Sequence, residues 1–142
     1  MKCESFYSKK LNLVLEVMSG TVTVDDVIEL KSIPVKEGVV NAMTRVLVLC
    51  DSEIKLTVNE AYTIAPRLME ELPEYSGTRT ALVASRASST AVGFVLANQL
   101  SRDQSLGTFS TLGAAMSFLH LTSEELSREF PQFTTFSEAY AE

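Results

Sequence analysis

The stretch RVLVLCD, residues 45–51, places five consecutive apolar side chains between an arginine and an aspartate. A short continuous apolar run of this kind is typical of a β-strand that is covered on both faces, as in a parallel sheet. On both sides of this run the chain alternates strand-like and helix-like patterns, with no long structureless linker. The stretch and its surroundings therefore predict an α/β domain.

Two further strands are predicted before this run and two after it. LNLVLEVMSG, residues 11–20, alternates with period two, and CESFYS, residues 3–8, lies one short connection upstream, so the two are expected to pair antiparallel. TRTALVAS, residues 78–85, and LGTFS, residues 106–110, are each followed by a helical pattern and are expected to be parallel to the central run through right-handed crossovers. The prediction is a mixed five-stranded sheet with four to five helices.

Helix starts are indicated by threonines that have an acidic residue three positions later, which is the spacing of a capping box. The pairs are Thr23 with Asp26, Thr57 with Glu60, and Thr122 with Glu125. Pro34 is predicted to end the first helix, because the residue before a proline is pushed out of the helical region. Pro66 leaves two alternatives open: a helix kinked at Pro66, or a regular helix that begins close to it.

Composition and charge limit the classes of function. The chain has 142 residues, which is the size of one domain, and a net charge of −6 with only 12 lysines and arginines, so no nucleic-acid partner is expected. The start of the chain lacks a signal-peptide pattern and no apolar run is long enough to span a bilayer, so a cytoplasmic protein is expected. Cys3 and Cys50 are expected to be reduced thiols rather than a disulfide.

The order of four segments resembles the SpoIIAA-like family, small bacterial STAS-type domains related to anti-sigma-factor antagonists. The segments are LVLEVMSGTVTVDDV, RVLVLCDS, RTALVASRASSTAVGFVLANQL and GTFSTLGAAMSFL. The resemblance implies a mixed sheet covered by helices, a regulatory role through protein partners, and a phosphorylated serine after the central strand, which would be Ser52. This chain departs from the family there: Asp51 and Ser52 are present, but Glu53 and Ile54 replace the rest of the motif.

The resemblance runs from about Phe6 to Leu121, and the corresponding domain is predicted to span residues 1–121. Residues 122–142 are predicted to be a C-terminal helical and aromatic tail packed on the same domain. Aromatic side chains recur in this tail every three or four residues, at Phe130, Phe133, Phe136 and Tyr140. Two alternatives remain open for them. They fold back on their own domain, or they form the contact of a homodimer, since an exposed apolar stripe marks an interface.

Catalytic and metal sites are not expected. His120 is the only histidine and is predicted to lie at a helix C-terminus, and neither G-x-S-x-G nor a phosphate-binding glycine loop follows any predicted strand. Two cysteines without ligand spacing do not form a zinc site. We therefore expect no cofactor, no metal and no enzymatic activity.

Polar side chains at the ends of the predicted parallel strands are the candidate ligand site. Open α/β sheets bind ligands outside the carboxyl ends of their strands, and free amides at a helix start favour an anion. The candidates are Asp51, Ser52, Ser85, Arg86, Ser88, Ser89, Thr90 and Thr111. The alternative is that these hydroxyls only cap helices.

The function expected from the sequence is that of a non-enzymatic regulatory or binding module. Its partner is expected to be another protein, a second copy of the chain, or a small apolar or anionic ligand at the strand ends. The alternative is an enzyme with an unrecognised hydrolase or transferase site.

Overall fold

The structure, a computed structural model, describes residues 2–54, 57–100 and 105–132. These residues form five strands and five α-helices, which alternate from β2 to α4. The elements are β1 (Lys2–Ser8), β2 (Leu13–Val22), α1 (Val24–Lys36), β3 (Arg45–Ile54), α2 (Val58–Glu71), β4 (Arg79–Ala84), α3 (Ala87–Leu100), β5 (Ser105–Phe109), α4 (Leu112–Leu119) and α5 (Ser123–Glu129), with a 3₁₀ turn over Pro73–Tyr75. The central strand continues three residues beyond Asp51, where the apolar run predicted its end.

The strands form one sheet in the order β1-β2-β3-β4-β5. β1 pairs antiparallel with β2, and β3, β4 and β5 follow in parallel register, with Leu13, Arg45, Arg79 and Ser105 in one row at their start. The predicted α/β class and mixed five-stranded sheet are therefore confirmed. Every strand lies beside its neighbour in sequence, and the crossover helices α1, α2 and α3 lie on the same face, which is the arrangement that crossovers of one hand produce.

Helices cover both faces of this sheet. On one face Val14, Met18 and Val48 pack against α1 and α2, with α3 alongside. On the other face Leu15 and Leu47 pack against α4 and α5. Successive side chains of β2 point to opposite faces of the sheet, and both faces are buried. This explains why residues 11–20 carry few polar side chains.

The predicted capping boxes are confirmed. In all three pairs the threonine hydroxyl accepts a hydrogen bond from the backbone N–H three residues later, and the acidic side chain accepts one from the threonine backbone N–H, at 2.9–3.2 Å. The boxes start α1, α2 and α5. A lost cap of this kind costs about 1 kcal/mol.

Neither Pro34 nor Pro66 ends its helix. The prediction that Pro34 ends α1 is wrong, because the helix continues to Lys36. A proline in the last turn leaves only one carbonyl without its partner. After the helix, the N–H of Gly38 donates to the carbonyl of Val35, and that of Val39 donates to the carbonyl of Pro34. Pro66 lies well inside α2, so that helix does not begin there.

Pro66 lacks the N–H that would bond to the carbonyl of Tyr62. The side-chain amide of Gln99 on α3 donates to that carbonyl instead, at 3.4 Å. A neighbouring helix thus supplies part of the hydrogen bonding that the proline removes, which helps to explain how α2 accommodates it.

The described part of the C-terminal segment packs on the rest of the domain. Leu126 is fully buried and Phe130 is 3% exposed, and both belong to the cluster that contains Leu11 and Leu119. Ser8 at the end of β1 donates to Glu129 at 2.6 Å. Phe130 therefore contributes to the core of its own chain. Phe133, Phe136 and Tyr140 lie outside the described residues, and their role at an interface stays a prediction.

Candidate functional site

Three of the predicted site residues meet where β3 and β4 approach the start of α3. The Asp51 carboxylate accepts a hydrogen bond from the Ser85 hydroxyl at 2.9 Å, and Arg86 Nε lies 3.4 Å from the same oxygen. We call Asp51, Ser85 and Arg86 the rim cluster. The backbone of Ser52 follows in β3, while its side chain lies outside what the structure describes.

The other hydroxyls of this corner bond largely within it. Ser89 and Thr90 both donate to the carbonyl of Arg86, at 3.2 and 3.0 Å, and Ser89 is fully buried. Ser88 is half-buried on the same turn. Two of the predicted ligand-binding hydroxyls are therefore engaged with the backbone at the start of α3.

Thr111 caps a different helix. Its hydroxyl accepts a hydrogen bond from the N–H of Ala114 at 3.2 Å and starts α4, which lies on the opposite face of the sheet from α3. Within the described part of the chain, no hydrogen bond joins Thr111 to the rim cluster. The structure thus brings Asp51, Ser85 and Arg86 into contact but gives Thr111 a separate role.

Charge at the rim cluster is locally balanced. Asp51 and Arg86 form an ion pair whose side chains are 54% and 53% exposed. An exposed pair of this kind contributes about 0–1 kcal/mol to stability. It also places a carboxylate beside the one arginine of this corner, so the positive potential that an anion would need is reduced.

A cavity of about 70 Å³ lies under α1, α2 and α3, against the central strands. Its wall is apolar except for Lys31 and Thr80, and the other lining side chains include Met18, Val48, Cys50, Ile64, Leu82 and Leu96. One water molecule needs about 10–15 Å³ and at least two polar partners. The cavity therefore has room for several atoms but offers water few hydrogen bonds.

A buried ion pair lies beside this cavity. Glu16 is fully buried on β2, and its Oε1 lies 2.6 Å from the Lys31 ammonium, which also lies 5.2 Å from the centre of the Tyr75 ring. The Tyr75 hydroxyl donates to the Lys31 carbonyl at 2.6 Å. The second Glu16 oxygen accepts no hydrogen bond from the described residues.

Sequence reasoning did not single out Glu16 or Lys31. Because residues 11–20 alternate with period two, Glu16 lies on the face of β2 opposite Leu13 and Leu15. The signal that was available is that Val14 and Met18, on the same face as Glu16, are apolar, so this face is also buried. The partner of Glu16 lies 15 residues away on α1, which the sequence pattern of a single element does not reveal.

Neither Cys3 nor Cys50 forms a disulfide within the described residues, as predicted. Cys3 and Cys50 both face Met18 in the register, on either side of β2. Two strand spacings are roughly 10 Å, whereas the Cα atoms of a disulfide are at most about 7 Å apart. Cys50 is fully buried in the cavity wall, and Cys3 is half-buried.

The stability of this region is expected to fall at alkaline pH. Burial, and then the charge of Glu16, raises the pKa of Cys3 to about 11 from its ordinary 9.0 and raises the pKa of Tyr75 well above its ordinary 10.0. Both groups therefore keep their protons in the folded chain at pH values at which the unfolded chain loses them. Their contribution is complete below about pH 9 and declines as pH rises beyond it.

Thermal unfolding of the wild type and of Tyr75→Phe, measured between about pH 8 and pH 11, checks this expectation. The melting temperature of the wild type should fall more steeply with pH than that of the variant, because the variant has no phenol to ionise on unfolding. Equal slopes for the two proteins would show that Tyr75 does not contribute.

His120 follows α4 in the left-handed conformation, with φ 57°, and is exposed. It is therefore the C-cap of α4, in agreement with the prediction that it lies at a helix C-terminus. In the part of the chain that the structure describes, no group of three or more histidine, cysteine or acidic side chains is placed to hold a metal ion. None of the described helices has the length and apolar character needed to cross a membrane.

Comparison of the chain with models of protein families, with curated proteins and with solved structures gives no match. The resemblance to the SpoIIAA-like family therefore stays a prediction, which rests on the segments quoted above.

Proposed function

We propose that this protein is a non-enzymatic binding module that takes a small apolar molecule into the cavity under α1, α2 and α3. The observation that carries the proposal is a partly open apolar cavity of about 70 Å³ between the sheet and its covering helices. Protein interiors contain few voids larger than a water molecule. Such a void costs stability unless something fills it, and apolar walls favour an apolar occupant.

The side chains that line the cavity support this proposal. Small-molecule sites are concave and mostly apolar, with few polar groups that orient the ligand. Here Lys31 and Thr80 are the polar side chains of the wall, on α1 and β4. The rim cluster is less suited to a ligand, because the Ser85 hydroxyl and the Arg86 guanidinium already contact the Asp51 carboxylate.

The family and the cellular role form part of the same proposal. A mixed sheet with an antiparallel first pair agrees with what the SpoIIAA-like resemblance implies, and we infer a bacterial, STAS-type regulatory domain from it. In such a module a bound ligand would alter contacts with a partner protein or with a second copy of the chain. Cys3 and Cys50 are not joined in a disulfide, which is consistent with a cytoplasmic location.

Benzene is a suitable probe, because it fits apolar cavities and makes no hydrogen bonds. At ten times its dissociation constant, a ligand that binds only the folded state stabilises it by about 1.4 kcal/mol. The expected result is a rise of several degrees in the melting temperature. Methyl resonances of Val48, Val92 and Leu96 should shift in the same titration.

Val92→Phe fills the cavity from α3 and should abolish both responses. Its matched control is Ala91→Phe, which adds the same ring at the exposed neighbouring position and should leave them unchanged. If benzene stabilises Val92→Phe as strongly as the wild type, the ligand does not bind in this cavity. If benzene shifts no methyl resonance of the wild type, the proposed function fails.

A further inference from the structure

A second concave surface lies at the opposite edge of the sheet, where the parallel strands begin. It is an open groove of about 490 Å³ between the β1–β2 connection, the segment before β3 and the turn before β4. Three of its lining residues are cations: Lys10, Arg45 and Arg79. We call this surface the basic groove. It is separate from the cavity and from the rim cluster.

The two arginines are fixed by the backbone of α4 and its surroundings. Arg45 donates to the carbonyl of Leu119 at 2.8 Å and also to that of Leu11, and Arg79 Nε donates to the carbonyl of Phe118 at 2.7 Å. The Arg79 guanidinium also lies 3.8 Å from the centre of the Phe118 ring. Positive charge at the C-terminus of α4 is favourable, which explains part of this arrangement.

These contacts orient the guanidinium groups but do not neutralise them. Within residues 2–54, 57–100 and 105–132, no carboxylate oxygen lies within salt-bridge distance of Lys10, Arg45 or Arg79. Cations elsewhere in the described chain do have carboxylate partners. The pairs are Lys31 with Glu16, Arg67 with Asp25 and Glu71, and Arg86 with Asp51. In a chain of net charge −6, the basic groove thus concentrates three cations that no acid of the described residues pairs with.

The floor of the basic groove depends on a glycine. Gly77 has φ +85°, and a Cβ at this position would lie 3.0 Å from Cβ of Ala42. A residue with a side chain would therefore be strained and would press on the opposite wall. The absence of a side chain keeps the two walls of the basic groove close without a clash.

We propose that the basic groove binds a ligand through an oxyanion, either a phosphate or a carboxylate group. Arginine nitrogens match the geometry of both anions, and Arg45 and Arg79 are already held in place, so little side-chain freedom is lost on binding. Met43 on the lip is 78% exposed and offers an apolar contact to the rest of the ligand. The proposed function requires none of these residues.

A titration with inorganic phosphate, followed by amide chemical shifts of the ¹⁵N-labelled chain, tests the proposal. The expected result is a saturable shift of Met43, Thr44 and Gly77, with no equivalent change in sodium chloride of the same ionic strength. A parallel titration with acetate distinguishes the two anions: the one that saturates at lower concentration identifies the group that the ligand carries.

Two variants that each remove one positive charge separate the two edges of the sheet. Lys10→Gln changes the basic groove at an exposed position and should weaken phosphate binding about two- to fivefold. Arg86→Gln changes the rim cluster and should leave binding at the basic groove unaltered. Equal effects of the two variants, shifts centred on residues 85–90, or shifts reproduced by chloride would each overturn the proposal.

Discussion

Replacing Lys31 by methionine is expected to lower the free energy of unfolding by about 3–5 kcal/mol. Methionine keeps most of the apolar stem but removes the ammonium that lies 2.6 Å from Glu16. The carboxylate of Glu16, which is fully buried, is then left without a counter-charge. Removing one partner of a buried pair is costly for this reason, even where the intact pair contributes little to net stability.

Urea denaturation of three proteins measures this effect. Lys36→Met is the matched control, because it removes a lysine from the exposed end of the same helix and should change stability by less than about 0.5 kcal/mol. The double variant Lys31→Met/Glu16→Met should recover most of the loss, since it leaves no buried charge. A single variant as stable as the control would show that Glu16 does not depend on Lys31.

Replacing Phe130 by alanine is expected to lower the free energy of unfolding by about 3–5 kcal/mol as well. The ring is 3% exposed and fills the space beside Leu11, Leu121 and Leu126. The loss combines the transfer of the ring to water with the cavity that remains. The same substitution should leave the molar mass in solution unchanged, because the ring packs within its own chain.

Phe94→Ala provides the matched control. Phe94 is 62% exposed on α3, so its replacement should change stability by less than about 0.5 kcal/mol. Urea denaturation and light scattering are measured on both variants. A change in mass for Phe130→Ala, without a loss of stability, would instead assign this ring to an interface between copies of the chain.

The sheet was predictable because its signals are local. Residues 45–51 form an unbroken apolar run, residues 11–20 alternate, and each capping box places its threonine and its acid three residues apart. The rim cluster followed from a general rule, since β3 and β4 are parallel and their ends lie at one edge. These features depend on neighbours in sequence or on adjacent strands.

The remaining features depend on contacts between distant segments. Arg45 donates to the carbonyl of Leu119, 74 residues later in the chain, and Gln99 donates to the Tyr62 carbonyl that Pro66 leaves without a backbone partner. No sequence pattern around Arg45 or Gln99 indicates which carbonyl its side chain contacts. Thr111 shows the converse: its type and position fit both a ligand site and a helix cap, and only the packing of α4 distinguishes its environment from that of the rim cluster.

The placement of α4 and α5 has a consequence for biosynthesis. These helices supply the cover for one whole face of the sheet, yet they are the last described elements to leave the ribosome. Until residues 112–130 have emerged, Leu15, Leu47 and Val83 have no helix to pack against. The apolar face that these strands form is therefore uncovered in the nascent chain until α4 and α5 have been made, and transiently exposed apolar surface of this kind favours aggregation.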